Sequence, residues 1–198
     1  MVTLYTSIGE YIMLRNDNGL KYPVIVMDGK EYHLSVSEMI LWTKGIWSIC
    51  SHNFLRDSFR QEEKVLGEMN FDFILNRLLQ RGLILRGEAD SDVEALHNLI
   101  GNLIINAADV SLFSQVKTFL IMVFMMHIPV KHAKTVFKKY DLLDSERLAL
   151  NLAKDKGMTA AELIRSLEMD DITGLILISN LYFKKLVRFS ERTSEAGL

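Results

Sequence analysis

Apolar residues along the chain first fall in short extended runs bounded by turn residues, and from Ser35 onward recur at helical spacing. Before that change, Glu10 to Arg15 predicts a short strand and Asn16-Asp17-Asn18-Gly19 a turn. Tyr22 to Met27 is a β-branched run, and Asp28-Gly29 is a hairpin turn leading into Lys30-Glu31-Tyr32-His33-Leu34. A small antiparallel sheet ahead of the helices is the expectation.

Ser35-Val36-Ser37-Glu38 has capping-box spacing, in which the serine oxygen accepts from the amide three residues on and the glutamate reaches back. Met39, Ile40, Leu41, Trp42, Ile46 and Trp47 supply the apolar face of the helix it opens, and a second helix is predicted within residues 53–68. Phe71, Ile74, Leu75, Leu78 and Leu79 form the stripe of an amphipathic third helix, with Asn70 as N-cap and Gly82 as its left-handed stop. Leu83-Ile84-Leu85 then predicts a strand and Arg86-Gly87-Glu88 a turn. Ser91-Asp92-Val93-Glu94 is a second capping box, opening a helix with Val93, Leu96, His97 and Ile100 on one side.

Two helices, broken at Pro129, are expected over residues 112–127 and 130–140. Asp144 is expected to cap a further helix running to about Lys156, ended by Gly157. Thr159-Ala160-Ala161-Glu162 is a third capping box, followed by a final helix from about Asp171 to Phe183 and a strand at Leu186 to Phe189. The resulting domain scheme is residues 1–90, a helical connector over 91–142, and residues 143–198.

Ile74 to Ile84 and Leu177 to Val187 share one outline, a helix running directly into a strand with basic residues at the junction. Here the sequence resembles the winged helix-turn-helix superfamily, whose third helix commonly ends in Leu-x-x-x-Gly-Leu-Ile before the wing hairpin. Leu78, Gly82, Leu83 and Ile84 match that pattern, while the second stretch departs from it with Lys185 in the glycine position. The resemblance covers residues 30–90 and 143–192. It implies a mainly α (α+β) protein of two winged-helix-like units with small β-hairpins, joined by a helical connector. A competing explanation is that a chain with 49% hydrophobic residues produces two such junctions by chance.

Composition narrows the classes. The chain has 198 residues, enough for one large domain or two small ones, and Cys50 is its one cysteine, so no internal disulfide can form. The lone thiol suits a reducing compartment, and Met1 to Glu10 lacks the pattern of a secretory leader, so a cytoplasmic location is expected. The longest apolar run, Phe119 to Val130, is about twelve residues against the roughly twenty needed to cross a bilayer. It reads as a core or interface helix, with no membrane partner. Net charge is −2 overall: residues 1–96 carry ten Lys/Arg against fourteen Asp/Glu (−4), and residues 97–198 thirteen against eleven (+2). Neither half is strongly basic.

The resemblance implies a transcriptional regulator whose third helix enters the major groove of double-stranded DNA while the wing touches its backbone. Asn76, Arg77, Gln80 and Arg81 lie off the apolar stripe with side chains suited to base edges, and Arg86 would sit near the wing. In the second unit Lys184, Lys185 and Arg188, with Arg192, suit phosphate contact, and Lys131, Lys134, Lys138 and Lys139 form another basic cluster. Each group can equally be read as a solvated helix face. With a net negative chain, DNA binding needs a segregated basic face, which a homodimer would double. The alternative is a protein- or peptide-binding module. The strands before Ser35 resemble those of peptide-recognition winged helices of modified-peptide biosynthesis, where an added strand supplies main-chain hydrogen bonds.

Catalysis is not expected. His33, His52, His97, His127 and His132 show no metal-ligand spacing, and no phosphate loop, nucleophile elbow or paired-carboxylate motif is present. No cofactor is called for. Cys50 is expected to lie on the helix rich in Ile and Trp, and so to be buried.

Overall fold

A computed structural model describes residues 1–66, 70–108, 141–155 and 157–191. The chain opens with β1 (Val2–Ser7) and then, after Gly9, β2 (Glu10–Arg15), β3 (Lys21–Met27) and β4 (Lys30–Tyr32). Three helices follow, α1 (Val36–Gly45), α2 (His52–Leu66) and α3 (Phe71–Gln80), with the two-residue β5 (Cys50–Ser51) between the first two and β6 (Ile84–Ala89) after the third. Next come α4 (Asp92–Ile100) and β7 (Ile104–Ala107). The last described stretch holds α5 (Asp144–Asp155), β8 (Met158–Thr159), α6 (Ala160–Ser166), α7 (Asp171–Phe183) and β9 (Val187–Ser190).

Most local signals hold, with three exceptions: Glu94 Oε2 meets the Ser91 hydroxyl instead of returning a bond to Ser91 N–H, Cys50 lies in β5 because α1 ends at Gly45, and Asp144 is the first residue of α5 and not its cap. Ser35 caps α1 and Glu38 returns the bond, as do Thr159 and Glu162 on α6. Asn70 caps α3, Asp170 caps α7, and Ser91 caps α4. The Asn16–Gly19 turn closes through Gly19 N–H to Asn16 C=O, with Gly19 at φ 77°, and Asp28-Gly29 adopts φ 49° and 73° as a two-residue hairpin turn demands.

The fold class expected from the repeated outline is overturned. Among the described residues there are three three-stranded antiparallel sheets, ordered β5-β1-β6, β2-β3-β4 and β8-β7-β9, so the protein is an α+β mix rather than mainly α. Neither β6 nor β9 pairs, among the described residues, with a strand that follows it, as a wing hairpin would require. Each pairs with a strand that precedes its helices: β6 with β1, from Val2 opposite Ala89 to Ser7 opposite Ile84, and β9 with β7. Pairing with a strand so distant in sequence leaves no signal in the local pattern, so the extended N-terminal stretch gives no sign that β1 pairs with β6, nor that residues 104–107 form β7. Once β2–β4 are set aside in the first half, and with residues 109–140 of the second outside the described residues, the two halves share one order, strand–helix–strand–helix–helix–strand, with the first strand central in its sheet.

Two smaller expectations are corrected. Arg86-Gly87-Glu88 lies within β6 instead of a turn. A Cβ on Gly87 would collide with the Ala95 carbonyl oxygen and stand 2.6 Å from Leu99 Cβ, so the bare glycine lets α4 lie against the sheet. The helix therefore buries Ala95, Leu99 and Ile100, while Val93 and His97 are exposed and Leu96 half-buried. The residues predicted as connector helices, 112–127 and 130–140, and the Phe119–Val130 run fall outside the described residues.

One continuous apolar core spans both halves, with Leu41, Leu55, Phe59 and Leu78 from the first and Leu163, Ile178, Leu181 and Val187 from the second. At the seam, the buried Tyr182 hydroxyl accepts from Trp47 N–H (2.9 Å), donates to the Ser7 carbonyl (3.1 Å) and lies 3.0 Å from Thr6 Oγ1. No described helix is long and apolar enough to cross a membrane.

Candidate functional site

The eight residues named from sequence divide by what neutralises them. Asn76 and Gln80 are exposed on α3. Arg77 and Arg81, one turn apart on the same helix end, converge on Glu38 at the start of α1: Arg77 Nε and an Arg81 terminal nitrogen each lie 3.2 Å from Glu38 Oε1. Arg81 also donates to the His33 carbonyl (3.0 Å) and covers the Tyr32 ring. Arg86 faces Glu88 at 3.5 Å on the same strand. Lys184 reaches Glu146 at 2.6 Å, and Arg188 reaches Glu10 at 2.8 Å. Lys185 is exposed, in the left-handed conformation at φ 60°. Among the described residues no hydrogen bond or ion pair joins the α3 group to the Lys184–Arg188 group. The Lys131–Lys139 cluster and Arg192 lie outside the described residues.

These ion pairs are not equivalent. Those of Arg86 and Arg188 are exposed on both sides, and a phosphate could exchange for the carboxylate at little cost. Glu38 and Glu146 are only 3% and 4% exposed. Drawing Lys184 away, or Arg77 and Arg81 together, would leave a buried carboxylate without a cation, which costs several kcal/mol. Each carboxylate is further fixed by its other oxygen, Glu38 accepting from Ser35 N–H (2.8 Å) and Glu146 from Leu143 N–H (3.1 Å). The chain thus builds the same arrangement twice: an acid in the first turn of one helix tied to the basic C-terminal residue of another. No sequence motif signals it, because the partners lie 43 and 38 positions apart.

A different surface is left open at β2. Its hairpin with β3 closes with Asn16 N–H donating to Leu20 C=O, so hydrogen-bonded pairs run Asn16–Leu20, Leu14–Tyr22, Ile12–Val24 and Glu10–Val26. The main-chain groups of Tyr11, Met13 and Arg15 consequently point to the other side, where no strand pairs among the described residues. Pro23 fits the same alternation. Its nitrogen faces the β4 side, beyond the point where β4 ends at Tyr32, and no ladder bond is lost.

Edge strands are ordinarily blunted by shortness, internal charge, proline or a covering element. The edges β5 and β8 have two residues each and β4 three, Lys30 and Glu31 among them, while β6 carries Arg86 and Glu88 and β9 carries Arg188. β2 has six residues, and its centre is Tyr11-Ile12-Met13-Leu14 with charge only at the ends. Tyr11 is 50% exposed and Met13 46%, and the Tyr11 hydroxyl donates to Met13 Sδ on the same face. Sequence reasoning placed the strand but named none of its residues. The available signal was the uninterrupted apolar tetrad.

Elsewhere the chemistry is sparse. Among the described residues no three His, Cys, Asp or Glu side chains cluster as metal ligands. Cys50 is buried, and burial pushes its thiol pKa up, against nucleophilic use. The chain matches no family model, no curated protein and no solved structure.

Proposed function

We propose that this chain is a protein-binding module that takes an extended segment of another polypeptide onto the outer edge of β2. The observation that carries the reading is the six-residue edge itself, whose main-chain groups at Tyr11, Met13 and Arg15 meet no strand among the described residues, and whose centre is apolar. An added strand gains main-chain hydrogen bonds there, and Tyr11 and Met13 provide contact area for its side chains. The competing reading, duplex DNA, would recruit Arg81 and Lys184 away from buried carboxylates, and it gains no help from a net charge of −2.

Selection of phage-displayed peptides on the intact chain tests this. Retained peptides should be free of proline at alternate positions and should lose at least tenfold in affinity against Met13→Pro. That substitution removes an outward N–H without touching the β2–β3 ladder, so the melting temperature should change little. Duplex DNA at low salt should not be shifted in a gel. A salt-sensitive DNA complex that disappears with Arg77→Ala and Arg81→Ala, with no peptide retained, would overturn the proposal.

A further inference from the structure

We infer that the strand seated on β2 is β2 of a second copy of this chain, antiparallel to the first about a two-fold axis at Met13. The inference rests on the strand-pairing reading above and names its partner.

Antiparallel pairing brings outward-pointing residues opposite outward-pointing residues. On β2 these are the odd positions Tyr11, Met13 and Arg15, so the permitted registers differ by steps of two. With Met13 opposite the partner's Met13, Tyr11 meets the partner's Arg15 and Arg15 meets the partner's Tyr11. All three outward residues on both copies are then used, giving about six main-chain hydrogen bonds. Sliding by one step in either direction sets Gly9, at φ 100°, or Asp17, in the turn, against a strand residue, and a pair is lost.

The side chains suit the same register. On one face the Tyr11 ring stands opposite the partner's Arg15, a favourable aromatic–cation pairing, with the two methionines side by side at the axis. On the other face Ile12 lies opposite the partner's Leu14 and Leu14 opposite the partner's Ile12, while Glu10 faces the partner's Asn16. No like charges meet across the axis. Within its own hairpin, by contrast, Arg15 sits directly opposite Lys21, an unfavourable cross-strand pair for which the added strand brings an aromatic neighbour. Because the same edge is used on both copies, the contact is isologous and closes at a dimer, with the sheet order β4-β3-β2-β2-β3-β4.

Light scattering on the purified chain, joined to cysteine cross-linking, tests the register. In a Cys50→Ala background, Met13→Cys should give a disulfide-linked dimer under mild oxidation, since hydrogen-bonded antiparallel partners have Cα atoms about 5.5 Å apart. Tyr11→Cys and Arg15→Cys should stay monomeric on a non-reducing gel when oxidised singly, because like residues would lie about 13 Å apart along the strand. Mixed together, those two variants should cross-link. Light scattering should give a dimer for the unmodified chain and a monomer for Met13→Pro. A dimer that persists in Met13→Pro, or cross-linking by Tyr11→Cys alone, would overturn the inference. A monomer that still binds selected peptides through β2 would overturn the second copy while leaving the strand-pairing reading intact. If neither peptides nor a second copy bind, both fall together.

Discussion

Burial alone would push the Glu38 carboxyl above the usual carboxylate range. Its pKa is held below the ordinary value of 4.5 because the hydrogen bonds from Ser35, helped by the Arg77 and Arg81 guanidinia, outweigh the lost hydration. A depressed folded-state value means that the stabilisation is complete above pH 4.5 and is lost as pH falls through the lower folded value. Glu38→Gln keeps an acceptor for Ser35 N–H but removes the charge facing two arginines. The expected loss at neutral pH is about 2 kcal/mol, in the range for hydrogen bonds to charged groups. Urea unfolding from pH 7 down to pH 3 checks this, and the variant should also lose part of the acid-side fall in stability. Equal stability across that range would mean that burying the pair costs as much as the pairing returns.

At the scale of elements, α3 and α7 end alike. Gly82 N–H donates to Leu79 C=O and Leu83 N–H to Leu78 C=O, and Lys185 and Leu186 repeat those bonds to Tyr182 and Leu181. Both stops need a left-handed residue, at φ 67° for Gly82 and φ 60° for Lys185. A side chain with a Cβ is strained there by roughly 1 kcal/mol relative to glycine. Lys185→Gly should therefore stabilise the protein by about 0.5–1 kcal/mol, and Gly82→Ala should destabilise it by about the same amount. Chemical denaturation midpoints give both values. A loss of stability in Lys185→Gly would mean that the lysine side chain makes a contact worth more than its backbone strain.

Across the whole molecule, the described residues of the two halves are joined by apolar packing, by the exposed Arg188–Glu10 ion pair and by a buried polar tie at Tyr182. Tyr182, on α7, serves Trp47 N–H and the Ser7 carbonyl, and Trp47 itself sits at φ 60° in the loop after α1. Its ring also stacks near Trp47 and Phe189, with centroids 5.3 Å and 4.4 Å away. Tyr182→Phe keeps the rings and removes the hydroxyl, leaving buried groups of the first half unpaired at a cost of about 1–3 kcal/mol. Unfolding should remain a single transition followed by circular dichroism and by tryptophan fluorescence. Separation of the two signals in the variant would mark this hydroxyl as the bond that makes the halves unfold together.

By itself the amino-acid order determined what depends on neighbours within about four residues: the caps at Ser35, Asn70, Ser91 and Thr159, the Asn16–Gly19 and Asp28-Gly29 turns, and the left-handed stop at Gly82. Those interactions close small rings of chain, so residue type and spacing are sufficient to reveal them. Tertiary structure alone decided which strands pair, since Val2 meets Ala89 and Ile105 meets Phe189 only after the helices between them have packed. It also decided the fate of the basic residues. Arg81 and Lys184 look free along the chain and are claimed in space by acids from other helices. The open edge of β2 belongs to the same class: the apolar tetrad Tyr11-Ile12-Met13-Leu14 marks a strand, but whether another strand lies beside it is decided in three dimensions.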